Sequence, residues 1–187
     1  MKLFTPSEIS NKYEYFCDMD GVLTDFNHQF KKCFRKFFPL CINEESNAIY
    51  DAFYKHLTKL TMDKELAGNI IKAHIDNIDF WQNLNWLPGA CELWDIIKSR
   101  KTRILSSPGV FTNAELGKRK WCHNYLRISG YRVIIQKEKQ EYSGKNKVLI
   151  DDYYYNIIKW QECGGIGILH TSVDNTIEQL KILNQIK

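Results

Sequence analysis

The sequence predicts an α/β protein: a doubly wound parallel sheet with a small helical insertion after its first strand. Short aromatic or apolar runs alternate along the chain with stretches of helical spacing. That alternation is the signature of parallel β-α units. One longer stretch, residues 39–85, carries helical spacing with no strand pattern to interrupt it. At 187 residues the chain suits one domain with a substantial core and room for such an insertion.

The elements follow in order. Tyr13-Glu14-Tyr15-Phe16-Cys17 is aromatic-rich and strand-like, giving a first strand over 13–18. Phe26, Phe30, Phe34 and Phe37 are three or four residues apart and predict a helix over 26–38 that stops before Pro39. Ile49, Phe53, Leu57 and Leu60 repeat that spacing, and Leu66, Ile70, Ala73 and Asn77 repeat it more weakly. Phe80-Trp81 leads to the turn Leu87-Pro88-Gly89, after which Ala90, Leu93, Trp94 and Ile97 resume a helix. Thr102 to Ser107 is the second strand, ended by Pro108-Gly109. Thr112-Asn113-Ala114-Glu115 reads as a capping box that opens a helix from about 113 to Ser129, closed by Gly130. Tyr131 to Ile135 is the third strand, 136–146 a polar loop, and Lys147 to Ile150 the fourth strand. A short helix over 153–163 stops at Gly164-Gly165, Ile166 to Leu169 is the fifth strand, and Val173, Ile177, Leu180 and Leu183 mark a last helix.

Composition narrows the function. Hydrophobic residues make up 44% and charged residues 26%, an ordinary globular balance. The net charge of +4 suits an anionic substrate but is too weak to argue for a nucleic-acid-binding surface. No apolar run approaches a membrane span, and Met1 to Lys12, which contains Pro6, has no signal-peptide core. Cysteines stand at 17, 33, 41, 91, 122 and 163 without a C-x-x-C pair, so reduced thiols are expected rather than disulfides or zinc ligands. A cytoplasmic location follows as an expectation.

Chemistry gathers at strand ends. The first strand ends in Asp18 and Asp20, the second in Ser106 and Ser107, and the fourth in Asp151 and Asp152. In a parallel sheet these ends share one edge. Asp18 and Asp20 repel each other unless a cation or a shared proton offsets the charge, and Gly21 lets the backbone turn sharply beside them. Four carboxylates at one edge call for a hard cation with oxygen ligands, with Mg²⁺ the expected one. Each group alone has a plainer reading, since Ser-Ser-Pro is commonly a turn and an Asp pair after a strand commonly an N-cap. Their occurrence together, in this order, favours phosphoryl chemistry. Gly164-Gly165-Ile166-Gly167 precedes a strand rather than a helix, so it is no phosphate loop, and with His170 it reads as structural.

The run Asp18-Met19-Asp20-Gly21-Val22-Leu23-Thr24-Asp25 fits D-x-D-G-x-[LVI]-x-[DN] at every position and resembles the first motif of the haloacid dehalogenase (HAD) superfamily. Ile104-Leu105-Ser106 resembles the second motif and Leu149-Ile150-Asp151-Asp152 the fourth. The third motif is a lone lysine. Lys137, Lys139, Lys145 and Lys147 all precede the acidic pair, and the spacing in the relatives favours Lys139. Within the superfamily the chain is similar to the 5′(3′)-deoxyribonucleotidases and their bacterial and phage-encoded relatives. DMDGVLTDF, Asp18 to Phe26, stands where they have DMDGVLADF. Phe80-Trp81 followed by Leu87-Pro88-Gly89-Ala90 matches the end of their small helical cap, and Lys118 to Trp121 matches their Lys-x-x-Trp. Ser106-Ser107-Pro108 replaces their Thr-Ser-Pro, and the loop after Lys139 is slightly longer than theirs.

This resemblance implies a HAD-type Rossmann-like core over 1–26 and 86–187 and a small helical cap over 27–85. It implies a Mg²⁺-dependent phosphomonoester hydrolase that dephosphorylates (deoxy)nucleoside monophosphates through an aspartyl-phosphate. Asp18 would be the nucleophile and Asp20 the general acid/base. Asp18, Asp20 through its backbone carbonyl, Asp151 and Asp152 would hold the metal, with Asp152 the direct ligand of the pair. Ser106, Ser107 and Lys139 would hold the phosphate. Phe26, Phe80 and Trp81 are expected to stack on a nucleobase, although they suit a core equally well. Lys118 and Trp121 are open between a substrate-side base and a core anchor. The alternatives are a HAD phosphatase for another small phosphoester or a phosphorylated nucleic-acid end, and a non-catalytic binding protein on the same scaffold. The last would ordinarily lack a catalytic Asp, and none is missing. The partner expected is a small-molecule nucleotide and no membrane; a homodimer fits this reading, and a virus-encoded chain would act in the host cytoplasm.

Overall fold

A computed structural model of the protein describes residues 12–36, 49–98 and 102–185. Five strands, β1 (Glu14–Cys17), β2 (Arg103–Ser106), β3 (Val133–Ile135), β4 (Lys147–Asp151) and β5 (Ile166–Leu169), pair in the order β3-β2-β1-β4-β5, all parallel. The chain winds outward from β1 to β3, then returns to β4 and winds the other way. This is the doubly wound sheet that the sequence predicts, with its switch point beside β1.

Two compact units divide the chain. The first comprises Met1–Thr24, Trp86–Pro108 and Ile128–Lys187 and carries the sheet. Its strands are apolar on both faces because helices cover both. Phe16, Leu105 and Leu149 pack against Ile157 and Trp160 of α7 (Tyr154–Glu162) on one side. Here Gly167 has a packing role, since a Cβ would sit 2.6 Å from Ile157 Cγ2. On the other side the Tyr15 hydroxyl donates to Asn184 of α8 (Val173–Gln185) at 3.2 Å, and α5 (Ala90–Ile97) packs on α8.

The second unit, Asp25–Asn85 with Gly109–Arg127, is helical among the described residues. It contains α1 (Phe26–Cys33), α2 (Ile49–Thr61), α3 (Lys64–Ile75), α4 (Ile78–Gln82) and α6 (Ala114–Trp121), the last running into a π-helical turn over Cys122–Leu126. The stretch leaves and returns side by side, with the Asp25 N–H donating to Asn85 O at 2.8 Å. Asp25 also caps α1, its side chain accepting from the His28 N–H at 2.8 Å.

Several expectations need correction. No capping box forms at Thr112-Asn113-Ala114-Glu115: Asn113 makes no side-chain cap. The carboxylate of Asp76, distant in sequence, accepts the N–H groups of Thr112 and Asn113 at 3.1 and 2.7 Å instead. The helix that was expected to reach Ser129 stops at Leu126, where Arg127 turns left-handed at φ 55°. Gly130–Arg132 is a 3-10 turn, so β3 starts at Val133 and not at Tyr131. Within the polar loop 136–146, Lys139–Tyr142 forms a further 3-10 turn. α1 ends at Cys33 because Phe34 leaves helical geometry at φ −103° and ψ 17°. There its ring packs 4.7 Å from Phe30 and 4.6 Å from Phe53; the expected stop before Pro39 lies outside the described residues. α3 buries Ala67, Ile71 and Ile75, while Leu66 stays 47% exposed. Its inner face is thus rotated by one residue, about 100°, from the predicted one. Among the described residues no helix is long and apolar enough to cross a membrane.

α4 and α6 approach closely at Gly117, where a Cβ would collide with Trp81 Cβ and sit 3.0 Å from Ile78 O. Alanine is the better helix former by about 1 kcal/mol, but overpacking costs about 1–3 kcal/mol. Gly117→Ala should therefore lower the urea unfolding midpoint. A raised midpoint would show that helix propensity wins and that the contact is loose.

Candidate active site

The loop after β1 is built around one carbonyl. Asp18 continues the strand, its N–H donating to Ile150 O of β4 at 2.9 Å. The chain then wraps on Met19 O, which accepts from the N–H groups of Leu23 and Thr24, both at 2.8 Å. Gly21 closes the turn at φ 79°, and a Cβ there would collide with the Asp152 carboxylate. Glycine is needed on both counts: left-handed backbone and close approach. Leu87 N–H donates to Leu23 O at 2.9 Å where the chain re-enters the first unit.

Three carboxylates and one ammonium meet at this edge. Asp18 Oδ1 accepts the Met19 N–H at 2.7 Å, and Oδ2 lies 2.8 Å from Lys139 Nζ. Lys139 is only 2% exposed, and it also meets Asp151 Oδ2 at 2.6 Å. Asp151, fully buried at the end of β4, accepts further from the Tyr153 N–H at 2.8 Å and from Asn156 Nδ2 at 3.1 and 3.0 Å. Asp152 is an exposed residue whose carboxylate lies against Gly21. One oxygen from each of Asp18, Asp151 and Asp152 lies within 4.8 Å of the others.

The electrostatics follow from this crowding. Burial alone would lower the Lys139 ammonium, but Asp18 and Asp151 outweigh it and hold its pKa above the ordinary lysine value. Burial raises Asp151, with repulsion from Asp18 adding and Lys139 opposing. Loss of water around its carboxylate, then the charges of Asp18 and Asp151, push Asp152 up to about 8. Three carboxylates thus share one ammonium. The donor set is all oxygen and short of positive charge, which fits a hard divalent cation.

The remaining predicted residues are placed as follows. Asp20 stands outside the three-carboxylate cluster, and its Oδ1 accepts from the buried Thr24 Oγ1 at 2.9 Å. Ser106 is buried at the end of β2, its carbonyl accepting the Gln136 N–H at 2.9 Å; Ser107 is partly buried. Lys137 and Lys145 are exposed, and Lys147 Nζ donates to Tyr142 O at 2.9 Å. The buried His170 is pulled down from the ordinary histidine pKa by burial, its Nδ1 lying 2.8 Å from Thr176 Oγ1. In the second unit Phe26 stacks on Trp81 at 5.6 Å and meets Phe80 edge-on at 5.9 Å. The Lys118 ammonium lies over the Trp81 ring at 5.1 Å, and Trp121 Nε1 donates to Leu84 O at 2.8 Å. Phe80 and Trp81 are buried and Phe26 is partly buried; Trp81 Nε1 is buried without an acceptor. Sequence reasoning missed Thr24 and Asn156. Thr24 carried a signal, a hydroxyl where related sequences have Ala, whereas Asn156 carried none.

Solved structures share the parallel α/β fold that carries these carboxylates and the buried ammonium here. A haloacid dehalogenase-like hydrolase from Streptococcus pneumoniae is similar at TM-score 0.62 and 12% identity, over 95% of this chain and 100% of its own. A HAD-superfamily hydrolase from Ehrlichia chaffeensis matches at TM-score 0.51 and 17% identity, over 95% and 99%. The HAD-hydrolase YfnB from Bacillus subtilis, whose structure has magnesium bound, matches at 0.54 and 15%, over 84% and 86%. These likenesses establish the fold. No curated protein matches the sequence. Residues 13–181 match the model of the family described as 5′ nucleotidase, deoxy (pyrimidine), cytosolic type C protein, and the chain belongs to that family. It is a hydrolase of the HAD phosphatase and nucleotidase type.

The raised Asp152 has a consequence for stability. In the metal-free folded chain it keeps its proton up to about pH 8, whereas an unfolded aspartate loses it near ~3.9. Between those values the folded state holds the extra proton, so stability falls as pH rises through the window. Urea midpoints of the metal-free protein should therefore drop from about pH 5 to about pH 8, and Asp152→Asn should reduce the drop. Equal drops would mean that another group titrates.

Proposed function

We propose that this hydrolase is a Mg²⁺-dependent 5′(3′)-deoxyribonucleotidase that removes phosphate from deoxyribonucleoside monophosphates in the cytoplasm. The observation that carries the reading is the buried Lys139 ammonium between Asp18 and Asp151, at 2.8 and 2.6 Å. It sets a positive charge directly against the Asp18 carboxylate at a strand end, the group that would act as nucleophile. The family match supports the nucleotide substrate and the cytoplasmic location.

In this reading Asp18 Oδ attacks phosphorus and the bond from phosphorus to the ribose oxygen breaks, leaving an aspartyl-phosphate. Asp20 gives its proton to the departing oxygen, then takes one from the water that attacks the acyl phosphate. Inorganic phosphate leaves and Asp18 is restored. The Met19 N–H and Lys139 hold the two Asp18 oxygens, and Thr24 holds Asp20. Lys139 and the Ser106–Ser107 hydroxyls are assigned to the equatorial phosphoryl oxygens, where charge develops. Asp18, Asp151 and Asp152 would hold Mg²⁺, with Asp152 the freest ligand because Asp151 is already engaged by Lys139, Tyr153 and Asn156. The metal supplies charge neutralisation, so that an anionic nucleophile can approach an anionic phosphate.

Base recognition is assigned to Phe26, Phe80 and Trp81. Supporting it, the buried Trp81 Nε1 has no acceptor, and buried donors are almost always paired. A base could pair it only if the ring turned out of its buried position, so Phe26, the partly open ring of the cluster, is the first contact assigned.

Asp18→Asn should abolish turnover with the fold intact, because the amide is nearly isosteric but a poor nucleophile. On a panel of nucleotides, sugar phosphates and 3′- or 5′-phosphorylated oligonucleotides, the parent should prefer deoxynucleoside monophosphates, lose activity in EDTA and regain it with Mg²⁺. Equal turnover of sugar phosphates would make it a general phosphatase for small esters.

Trp81→Phe keeps the packing and removes the donor. It should cost a few-fold to about tenfold in kcat/KM on a nucleotide, the worth of one hydrogen bond. On para-nitrophenyl phosphate it should change nothing. Equal losses on both substrates would make Trp81 a packing residue.

A further inference from the structure

The first unit carries a second concentration of charge, opposite in sign to the carboxylate cluster. A cavity of about 430 Å³ opens at the amino edge of the sheet. Among the described residues five cations, Lys12, Arg103, Arg132, Lys145 and Lys147, line it against one carboxylate, Glu14. Glu14, Arg103 and Lys147 are the first residues of β1, β2 and β4, and Arg132 immediately precedes β3. Parallel pairing brings these strand starts to one edge. Asp151 lies at the other end of β4 from Lys147. At about 3.3 Å per residue the strand puts the two sites roughly 13 Å apart. A group bound in the cavity is therefore not the phosphoryl group under attack.

Part of this charge is held rigidly. Arg132 Nε donates to Thr102 O at 2.8 Å and Nη2 to Lys98 O at 3.4 Å. Arg103 Nη2 lies 3.1 Å from Glu14 Oε1. Lys12 and Lys145 are exposed. Crowded like charges raise the energy of the folded state unless an anion offsets them. The shape then selects the anion. Nucleic-acid backbone is met by an open basic stripe, whereas a concave site of this size takes a small ligand. Tyr131, also in the lining, is 80% exposed and offers a flat face beside the cations.

We propose that this cavity is a second, non-catalytic site that binds a nucleoside triphosphate, with the triphosphate among the five cations and the base on Tyr131. That the site is non-catalytic rests on the catalytic assignment at Asp18; that it binds a triphosphate does not.

The test is calorimetric binding of a β,γ-imido nucleoside triphosphate to the full chain, which should saturate at one site. Lys12→Glu combined with Lys145→Glu should weaken it by roughly tenfold or more, as reversal of two charges facing a polyanion requires. The milder Lys12→Gln with Lys145→Gln should weaken it less but measurably, and carries the test if charge reversal perturbs folding. Tyr131→Ala should weaken the nucleotide but not inorganic tripolyphosphate. In Asp18→Asn, saturating deoxynucleoside monophosphate should leave triphosphate binding unchanged. Absence of saturable binding, or binding indifferent to the paired lysines, would overturn the proposal. So would competition by the monophosphate, which would place the triphosphate in the catalytic site. Tighter binding of a short single-stranded oligonucleotide through the same lysines would assign the surface to nucleic acid instead.

Discussion

The ammonium of Lys139 is the contact on which the catalytic edge depends. Asp18 closes the first strand, Asp151 the fourth, and Lys139 sits on the turn after the third. Three separate chain segments are thus pinned at one point inside the protein. Such a contact is weak evidence for stability, because removing charges from water costs several kcal/mol per ion, roughly what their attraction returns. Its strength is in specification. Two buried carboxylates facing each other have few tolerable arrangements, and one ammonium between them leaves fewer still.

The same contact leaves the site short of positive charge. Asp152 adds a third carboxylate to a pair that one lysine already serves, and loss of water, then the charges of Asp18 and Asp151, push its pKa up to about 8. Stability and function pull in opposite directions here. An amide at Asp152 would be easier on the metal-free fold, yet it would remove the oxygen least engaged elsewhere. Asp151 and Asp152 are adjacent in sequence but differ in kind. Asp151 is locked by Lys139, Tyr153 and Asn156, while Asp152 is held in place by the absence of a side chain at Gly21.

Local chemistry was legible in the sequence where the partners are close along the chain. The turn at Gly21, the strand alternation and the parallel order all follow from short-range pattern, and the family resemblance rests on the same residues. What stayed hidden was carried by distant partners. Asp76 caps the segment at Thr112 and Asn113, and no window around Thr112 contains it. The inner face of α3 was misjudged because Leu66 and Ala67 are both apolar, and only packing decides which one turns inward. Gly109–Arg127 belongs to a compact unit with Asp25–Asn85 because α6 packs on α4 through Gly117, a contact that spacing along either helix does not announce. Asn156 is one polar residue among several on α7 until that helix is set against the end of β4.

A parallel sheet separates what its strands carry at their two ends. In β4 the chain runs from Lys147 to Asp151, and in β1 from Glu14 to Cys17 just before Asp18. β1, β2 and β4 therefore each have one end at the cationic cavity and the other at the carboxylate edge. At roughly 13 Å a direct attraction is about a fifth of that at the 2.6–2.8 Å of the Lys139 contacts, for equal surroundings. The cations of the amino edge therefore relieve the carboxylates far less than Lys139, which is buried among them. One short strand length is enough to place two oppositely charged sites on a single small sheet without either one neutralising the other.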